Sequence, residues 1–150
     1  MDDQEARQDT TAPGALLETS FQAVVLHGEA FVVAFYERLF SRFPETRALF
    51  AATDMLEQRK KLQRTLSLIL EHLQEPEVLV PMLSDLGQRH MGYGVRQEHY
   101  RMVGAVLLET FADFLGQHWT PAHHDAWVKG YEAVSGLMVQ AAKERPSPSA

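Results

Sequence analysis

Apolar side chains recur every three or four residues along most of this 150-residue chain, which is the spacing of one face of an α-helix. Proline, glycine and capping residues divide these stripes into segments of unequal length. No segment shows sustained alternation of apolar and polar residues, and the sequence contains neither Asn-Gly nor Asp-Gly, the pairs typical of tight hairpins. The pattern predicts an all-α protein of six or seven helices, whose uneven lengths fit poorly with a simple four-helix bundle.

Local signals place the helix boundaries. Asp54, with Glu57 three residues later, has the sequence of a capping box, and Thr120 before Pro121 is a cap followed by a first-position proline. The last helix is predicted to bury either Leu137 or Met138. The predicted segments are Leu16 to about His27, Glu29 to about Ser41, a short turn from Pro44 to Phe50, a long helix from Asp54 through Leu73, Pro76 to about Gly92, Gln97 to about Gly116, and a last helix from Pro121.

The composition excludes several classes of protein. The chain has no cysteine, which excludes disulfides, thiolate catalysis and cysteine-ligated metal sites. Its net charge is −6 and it has no basic stripe, so we expect no nucleic-acid partner. No apolar run approaches the roughly 18 residues of a membrane span, and the acidic start lacks the apolar core of a signal peptide. We expect a soluble, cytoplasmic protein with one domain at 15–144, flanked by flexible tails at 1–14 and 145–150.

A histidine ends one of the apolar stripes. Leu83 and Leu86 lie on one predicted helix face, and His90 continues that face just before two glycines. Such a histidine is often a half-buried core residue with a hydrogen-bond partner, and the alternative is a metal ligand. A site with several protein ligands is disfavoured, because no His-x-x-x-His or Glu-x-x-His pair lies on an apolar face. His123 and His124, at a helix start, are interpreted as surface residues.

One imidazole is enough to bind a haem, because the porphyrin supplies four further ligands to the iron. Four blocks resemble the globins, most closely bacterial single-domain globins and the haem domain of flavohaemoglobins: AFYERLFSRFPETRALF, EQRKKL, LGQRHMGYGVRQEHYRMVGAVLLETF and HDAWVKGYEAV. The resemblance runs from about Leu16 to Ala142 and implies globin packing around a haem b. The large side chains available to line a flat haem slot are Phe35, Phe40, Phe43, Phe50, Leu62, Leu66, Leu86, Val95 and Tyr100.

The resemblance also assigns the polar residues of the site. His90 matches the proximal histidine that binds the iron. Tyr36 matches the tyrosine on the ligand side, and Gln58 matches the distal position, where vertebrate globins usually carry histidine. Both side chains are hydrogen-bond donors suited to the partial negative charge of bound dioxygen. Taken without the resemblance, Tyr36 would be a core tyrosine and Gln58 a solvated helix residue.

Further contacts with the haem are implied in the same way. Phe50 matches the phenylalanine that stacks on the haem, and Leu62 the apolar residue that presses on the bound ligand. Tyr100 matches a tyrosine on the proximal side. Lys61 and Arg89 are candidates for the haem propionates, with a solvated lysine and arginine as the alternative.

Two departures from flavohaemoglobins bear on function. No Gly-rich phosphate loop is present in the sequence, so we expect electrons to come from a separate reductase. The family's glutamate beside the proximal histidine falls at Ala142, while Glu144 should face elsewhere. We therefore expect His90 to donate to a backbone carbonyl of its own helix. This disfavours splitting of an O–O bond and a peroxidase-like role.

Four functions follow from the resemblance. The first is reversible binding of dioxygen, with nitric oxide and carbon monoxide as further ligands. The second is a nitric oxide dioxygenase that relies on a separate reductase. The third is a gas sensor read by a partner protein, and the fourth is a globin fold without haem, which His90, Tyr36, Gln58 and Phe50 together disfavour. Pocket residues do not separate the first two, and a monomer and a homodimer both stay open.

Overall fold

Six α-helices form most of residues 12–144. The computed structural model describes residues 12–144, with only the backbone of Glu144. The helices are α1 (Pro13–Val25), α2 (Ala30–Arg42), α3 (Met55–Glu71), α4 (Pro76–Gly92), α5 (Gln97–Leu115) and α6 (Pro121–Glu144), with 3-10 helices at Pro44–Phe50 and Gly116–His118. Residues 12–144 contain no strand, so the all-α prediction is confirmed. The predicted tails at residues 1–11 and 145–150 lie outside the described residues.

Most helices begin where the local chemistry predicts. The Asp54 carboxylate accepts a hydrogen bond from the backbone N–H of Leu56 (3.1 Å) and caps α3. Glu57, expected to complete a capping box, instead lies 3.8 Å from Lys60. The Thr120 hydroxyl accepts from the backbone N–H of His123 (3.3 Å) at the start of α6. The first helix begins three residues earlier than predicted, at a proline that suits a first helical position.

A sharp bend separates α1 from α2, whose axes differ by 99°. Gly28 lies in the intervening turn with φ +62°, a left-handed conformation that glycine adopts without strain. No single helix within residues 12–144 is long and apolar enough to cross a membrane, and α1 and α2 meet that criterion only as this bent pair. Their apolar faces are instead buried in the core, as Val24 and Val32 illustrate.

The buried side chains form two clusters. The larger cluster joins α1, α2, the end of α3, α5 and the first part of α6. The smaller one consists of Ile69, Leu83 and Met138, with partly buried neighbours from α3 to α6. Met138 is 6% exposed whereas Leu137 is 37% exposed, which decides between the two residues predicted for this face. The α4 helix, which carries His90, packs mainly on α6.

The crossing of α4 and α6 is very close at one glycine. A Cβ atom added to Gly87 would lie 2.2 Å from the carbonyl oxygen of Met138, far inside van der Waals contact. Backbone therefore meets backbone at this point, and any larger residue must push the helices apart. Gly87 thereby sets how deeply α4 lies against α6, three residues before His90.

Both tryptophans of the chain flank one phenylalanine. The ring of Phe111 lies 5.9 Å from Trp119 and 4.3 Å from Trp127, between ring centroids. Trp127 also donates its indole N–H to the Ser20 hydroxyl (2.8 Å), which ties α6 to α1. Trp127 thus belongs to the larger cluster, and the half-buried Trp119 packs against it.

The interpretation of His123 as a surface residue without apolar neighbours is wrong, while the interpretation of His124 as a surface residue is confirmed. His123 is half-buried, and its ring stacks on Trp119 at 5.8 Å between centroids. Its Nδ1 also lies 2.8 Å from the Thr120 hydroxyl. His124 is exposed. The difference arises because the turn before α6 folds Trp119 back over the first helical turn.

Candidate functional site

A tyrosine of α2 and a glutamine of α3 form the first half of the site. Tyr36 is 5% exposed, and Gln58 donates its Nε2–H to the Tyr36 hydroxyl oxygen (3.1 Å). Burial raises the pKa of Tyr36, against the smaller opposing effect of the Gln58 hydrogen bond. The hydroxyl therefore keeps its proton at neutral pH. Because Gln58 donates to its oxygen, that proton stays available for another acceptor.

Aromatic and aliphatic side chains surround this pair. The ring of Phe50, at the end of the first 3-10 helix, lies edge-on to Tyr36 and to Phe40, with centroids 5.6 Å apart in each case. Leu62 and Leu66 of α3 pack into the same cluster while staying partly exposed. Gln58, Leu62 and Leu66 follow each other at four-residue steps, so one face of α3 presents all three. The Tyr36 hydroxyl therefore lies in an apolar setting that strengthens any hydrogen bond it makes.

His90, near the end of α4, forms the second half. Its Nδ1 lies 2.8 Å from the carbonyl oxygen of Leu86, as predicted. A carbonyl can only accept, so Nδ1 carries the hydrogen and Nε2 keeps its lone pair. Burial lowers the pKa of His90, with a smaller contribution from Arg89, while the Leu86 bond opposes the shift. The imidazole is therefore neutral at pH 7, with its free nitrogen in the form that binds metals.

Gln58 and His90 lie on two consecutive helices, α3 and α4, which pack together near the link between them. Near the link between α3 and α4, Ile69 and Leu73 pack with Leu83 in the smaller cluster. Gln58 and His90 lie toward the opposite ends of these helices, away from the link. There, an ideal Cβ on Gly94 would be 4.0 Å from Leu49, next to Phe50, so the end of α4 comes close to the first 3-10 helix.

The remaining predicted residues are placed as follows. Tyr100 stacks on His90 with centroids 6.2 Å apart and an interplanar angle of 25°, and Leu86 packs with Tyr100 in the smaller cluster. Val95 is half-buried in the turn before α5. Lys61 is exposed and has no ion pair among residues 12–144. Arg89 is also exposed, but its guanidinium lies 3.0 Å from the Asp85 carboxylate.

Two features of this region were not predicted from sequence. The first is the close packing at Gly87, which depends on the backbone of Met138 in another helix. The other is Arg59, whose Nε is buried without a hydrogen-bond partner in the part of the chain that is described. A run of basic residues at the start of a helix is typical of a solvated surface, so the sequence carried no signal of this burial. Residues 12–144 also contain no cluster of three His, Asp or Glu side chains able to hold a metal.

Sequence comparison identifies related proteins. The Globin family model matches residues 33–138. A flavohemoprotein of Bordetella parapertussis is 32% identical over 127 residues, which is 83% of this chain and 32% of the relative. A flavohemoprotein of Bacillus subtilis is 28% identical over 134 residues, 86% of this chain and 33% of the relative. The chain thus spans about a third of the length of these relatives.

Structural comparison finds proteins with a similar fold. An engineered carbene transferase derived from a candidate nitric oxide dioxygenase of Rhodothermus marinus is 26% identical with a TM-score of 0.78, covering 88% of this chain and 92% of that one. A bacterial globin from Campylobacter jejuni shares the fold at 22% identity and a TM-score of 0.75, covering 88% of this chain and 95% of that one. With the family model matching more than two thirds of its residues, this chain belongs to the globin family.

Proposed function

We propose that this globin binds haem b through His90 Nε2 and reversibly holds dioxygen on the side of Tyr36 and Gln58. The observation that carries the proposal is the free lone pair of His90, fixed by the Leu86 carbonyl, together with the buried Tyr36 hydroxyl and the half-buried Gln58 amide that donates to it. When bound, the haem supplies an iron that takes up dioxygen, nitric oxide or carbon monoxide.

The apolar residues near Tyr36 and those near His90 fit a flat, largely apolar group. Phe50 and Leu62 are partly exposed at the edge of the larger cluster, and Leu86 and Tyr100 at the edge of the smaller one. The exposed apolar surface of these four side chains would be removed from water if such a group lay between them. Lys61 is the better partner for a propionate, because Asp85 already pairs with Arg89.

Tyr36 and Gln58 can both donate hydrogen bonds to a bound diatomic gas. The Tyr36 hydroxyl donates its available proton, and the Gln58 amide has a second N–H with which to donate. Each such hydrogen bond contributes on the order of 1 kcal/mol. Phe50 and Leu62 limit water near the hydroxyl, so a weakly polar gas competes with little solvent.

The hydrogen bonding of His90 favours reversible binding of dioxygen over cleavage of its O–O bond. Its Nδ1–H donates to a neutral carbonyl, which draws the proton less strongly than a carboxylate would. The imidazole therefore gives less electron density to a metal than it would beside a glutamate. The resemblance matches the family's glutamate to Ala142, whose side chain has no acceptor group.

Nitric oxide dioxygenation with a separate reductase is the second candidate. The similarity to the candidate nitric oxide dioxygenase of Rhodothermus marinus and to flavohemoproteins favours it. The Tyr36–Gln58 pair would serve both functions, because each requires a donor beside dioxygen.

Visible spectra separate these functions. The purified protein, supplied with haem, would be recorded in ferric, reduced and oxygenated forms and then mixed with nitric oxide. A stable oxygenated spectrum supports reversible binding. Rapid, stoichiometric nitrate formation that becomes catalytic with a reductase supports the dioxygenase. The lack of a Soret band that stays with the protein after unbound haem is removed would refute both.

Replacing Tyr36 with phenylalanine is expected to speed dioxygen dissociation by about five- to tenfold, because one hydrogen bond of about 1 kcal/mol is lost. Stopped-flow displacement of dioxygen by carbon monoxide measures this rate. Tyr93→Phe is the matched control, since Tyr93 is 68% exposed and should leave the rate unchanged. Equal rates in wild type and Tyr36→Phe would remove Tyr36 from ligand binding.

A further inference from the structure

A cavity of about 180 Å³ lies beneath the His90 helix, between the end of α4, the start of α5 and the end of α6. Three of its lining residues carry hydrogen-bond donors: Gln97, Tyr100 and Lys143. Among the side chains that the structure describes, no aspartate or glutamate lines it. The rest of the lining is apolar and includes Val139 and Ala142. A cation and two neutral donors, with no acid among the described lining residues, have the chemistry of an anion site.

These donors are not used elsewhere in the part of the chain that is described. Lys143 forms no ion pair there, and neither the Gln97 amide nor the Tyr100 hydroxyl forms a hydrogen bond with another described residue. Tyr131 donates to Tyr100, but to its backbone carbonyl (2.6 Å), which holds the backbone and leaves the hydroxyl unengaged. All three groups can therefore turn to a bound ligand.

We propose that this cavity binds a small monocarboxylate. Its carboxylate lies among Lys143, Gln97 and Tyr100, and its short alkyl part lies against Val139 and Ala142. The volume equals that of about six water molecules at roughly 30 Å³ each, which suits an acid of a few carbons. Inorganic phosphate fits less well, because the apolar part of the lining would strip its hydration without replacing it.

The neighbouring space favours an alkyl chain of some length. A groove-like cavity of about 490 Å³ between α5 and α6 shares Gln97, Tyr100 and Val139 with the smaller one. Butyrate should consequently bind more tightly than acetate, since each buried methylene adds favourable apolar contact. Because Tyr100 stacks on His90, binding also changes the surroundings of that imidazole.

The test is a titration of the full-length, ¹⁵N-labelled protein with sodium butyrate, followed by ¹H–¹⁵N spectra at constant ionic strength. Saturable shifts are expected at the amides of Gln97, Tyr100 and Lys143. Lys143→Met should weaken binding about tenfold or more, because a charge-assisted bond is lost. Lys129→Met, at an exposed lysine of the same helix, should bind like wild type.

A second variant keeps all three donors and fills the space. Ala142→Leu adds an apolar side chain to the cavity lining and should abolish the butyrate shifts. The proposal is overturned if chloride or phosphate produces the same shifts at equal ionic strength, or if Lys143→Met or Ala142→Leu binds butyrate like wild type. The titration needs neither haem nor gas, so a failure to bind butyrate would not contradict the proposed function. Likewise, a failure to bind haem would not contradict the butyrate site.

Discussion

Replacing His90 with alanine is expected to abolish the Soret band of the haem-supplied protein. His90 Nε2 carries the lone pair that would bind the iron, and Leu86 fixes the ring that presents it. Added imidazole should partly restore the band, because alanine leaves room for the missing ring. Absorption spectra with and without imidazole measure both effects.

The matched control is His118→Ala, at an exposed histidine of the short second 3-10 helix. It should keep the wild-type spectrum. Far-UV circular dichroism of His90→Ala should stay helical, which separates loss of the ligand from loss of the fold. A folded His90→Ala protein with an unchanged Soret band would show that another residue binds the iron.

Gly87→Ala is expected to lower the free energy of unfolding by about 1–3 kcal/mol, as overpacking typically does. The new methyl group would meet the Met138 backbone at 2.2 Å, and a backbone atom cannot turn aside like a flexible side chain. The α4 helix must therefore move away from α6 and carry His90 with it. Urea unfolding measures the loss, and weaker haem retention should accompany it.

Gly136→Ala is the matched control within α6. Nothing lies within 4 Å of a Cβ added there, so alanine should raise stability by about 0.5–1 kcal/mol through its better helix propensity. Opposite shifts in the two urea midpoints are the expected result. A Gly87→Ala midpoint at or above that of wild type would mean that the two helices do not cross this closely.

Local chemistry explains what the sequence could predict. The starts of α3 and α6 follow from Asp54 and from Thr120 with Pro121, because a cap acts on residues only two or three positions away. The bond from His90 to Leu86 is similarly local, since a carbonyl four residues earlier lies beside the ring in any helix. The pairing of Tyr36 with Gln58 spans 22 positions, and only the family resemblance brought these two residues together.

Features that depend on how helices cross could not be predicted. Gly87 reads as an ordinary helix glycine until the Met138 backbone lies against it. His123 reads as a surface residue until Trp119 folds over it. The cavity beside Lys143 is bounded by three helices, so no single segment carries its pattern.

The placement of both tryptophans on Phe111 determines what fluorescence can report. Trp127 lies in the larger cluster and Trp119 packs against it, so tryptophan emission follows the melting of that cluster. A partial opening that frees Leu83 of α4 from Ile69 and Met138 would leave both indoles stacked and the emission nearly constant. Hydrogen exchange at α4 amides would reveal it, so agreement between the two probes would show that the molecule unfolds as one unit.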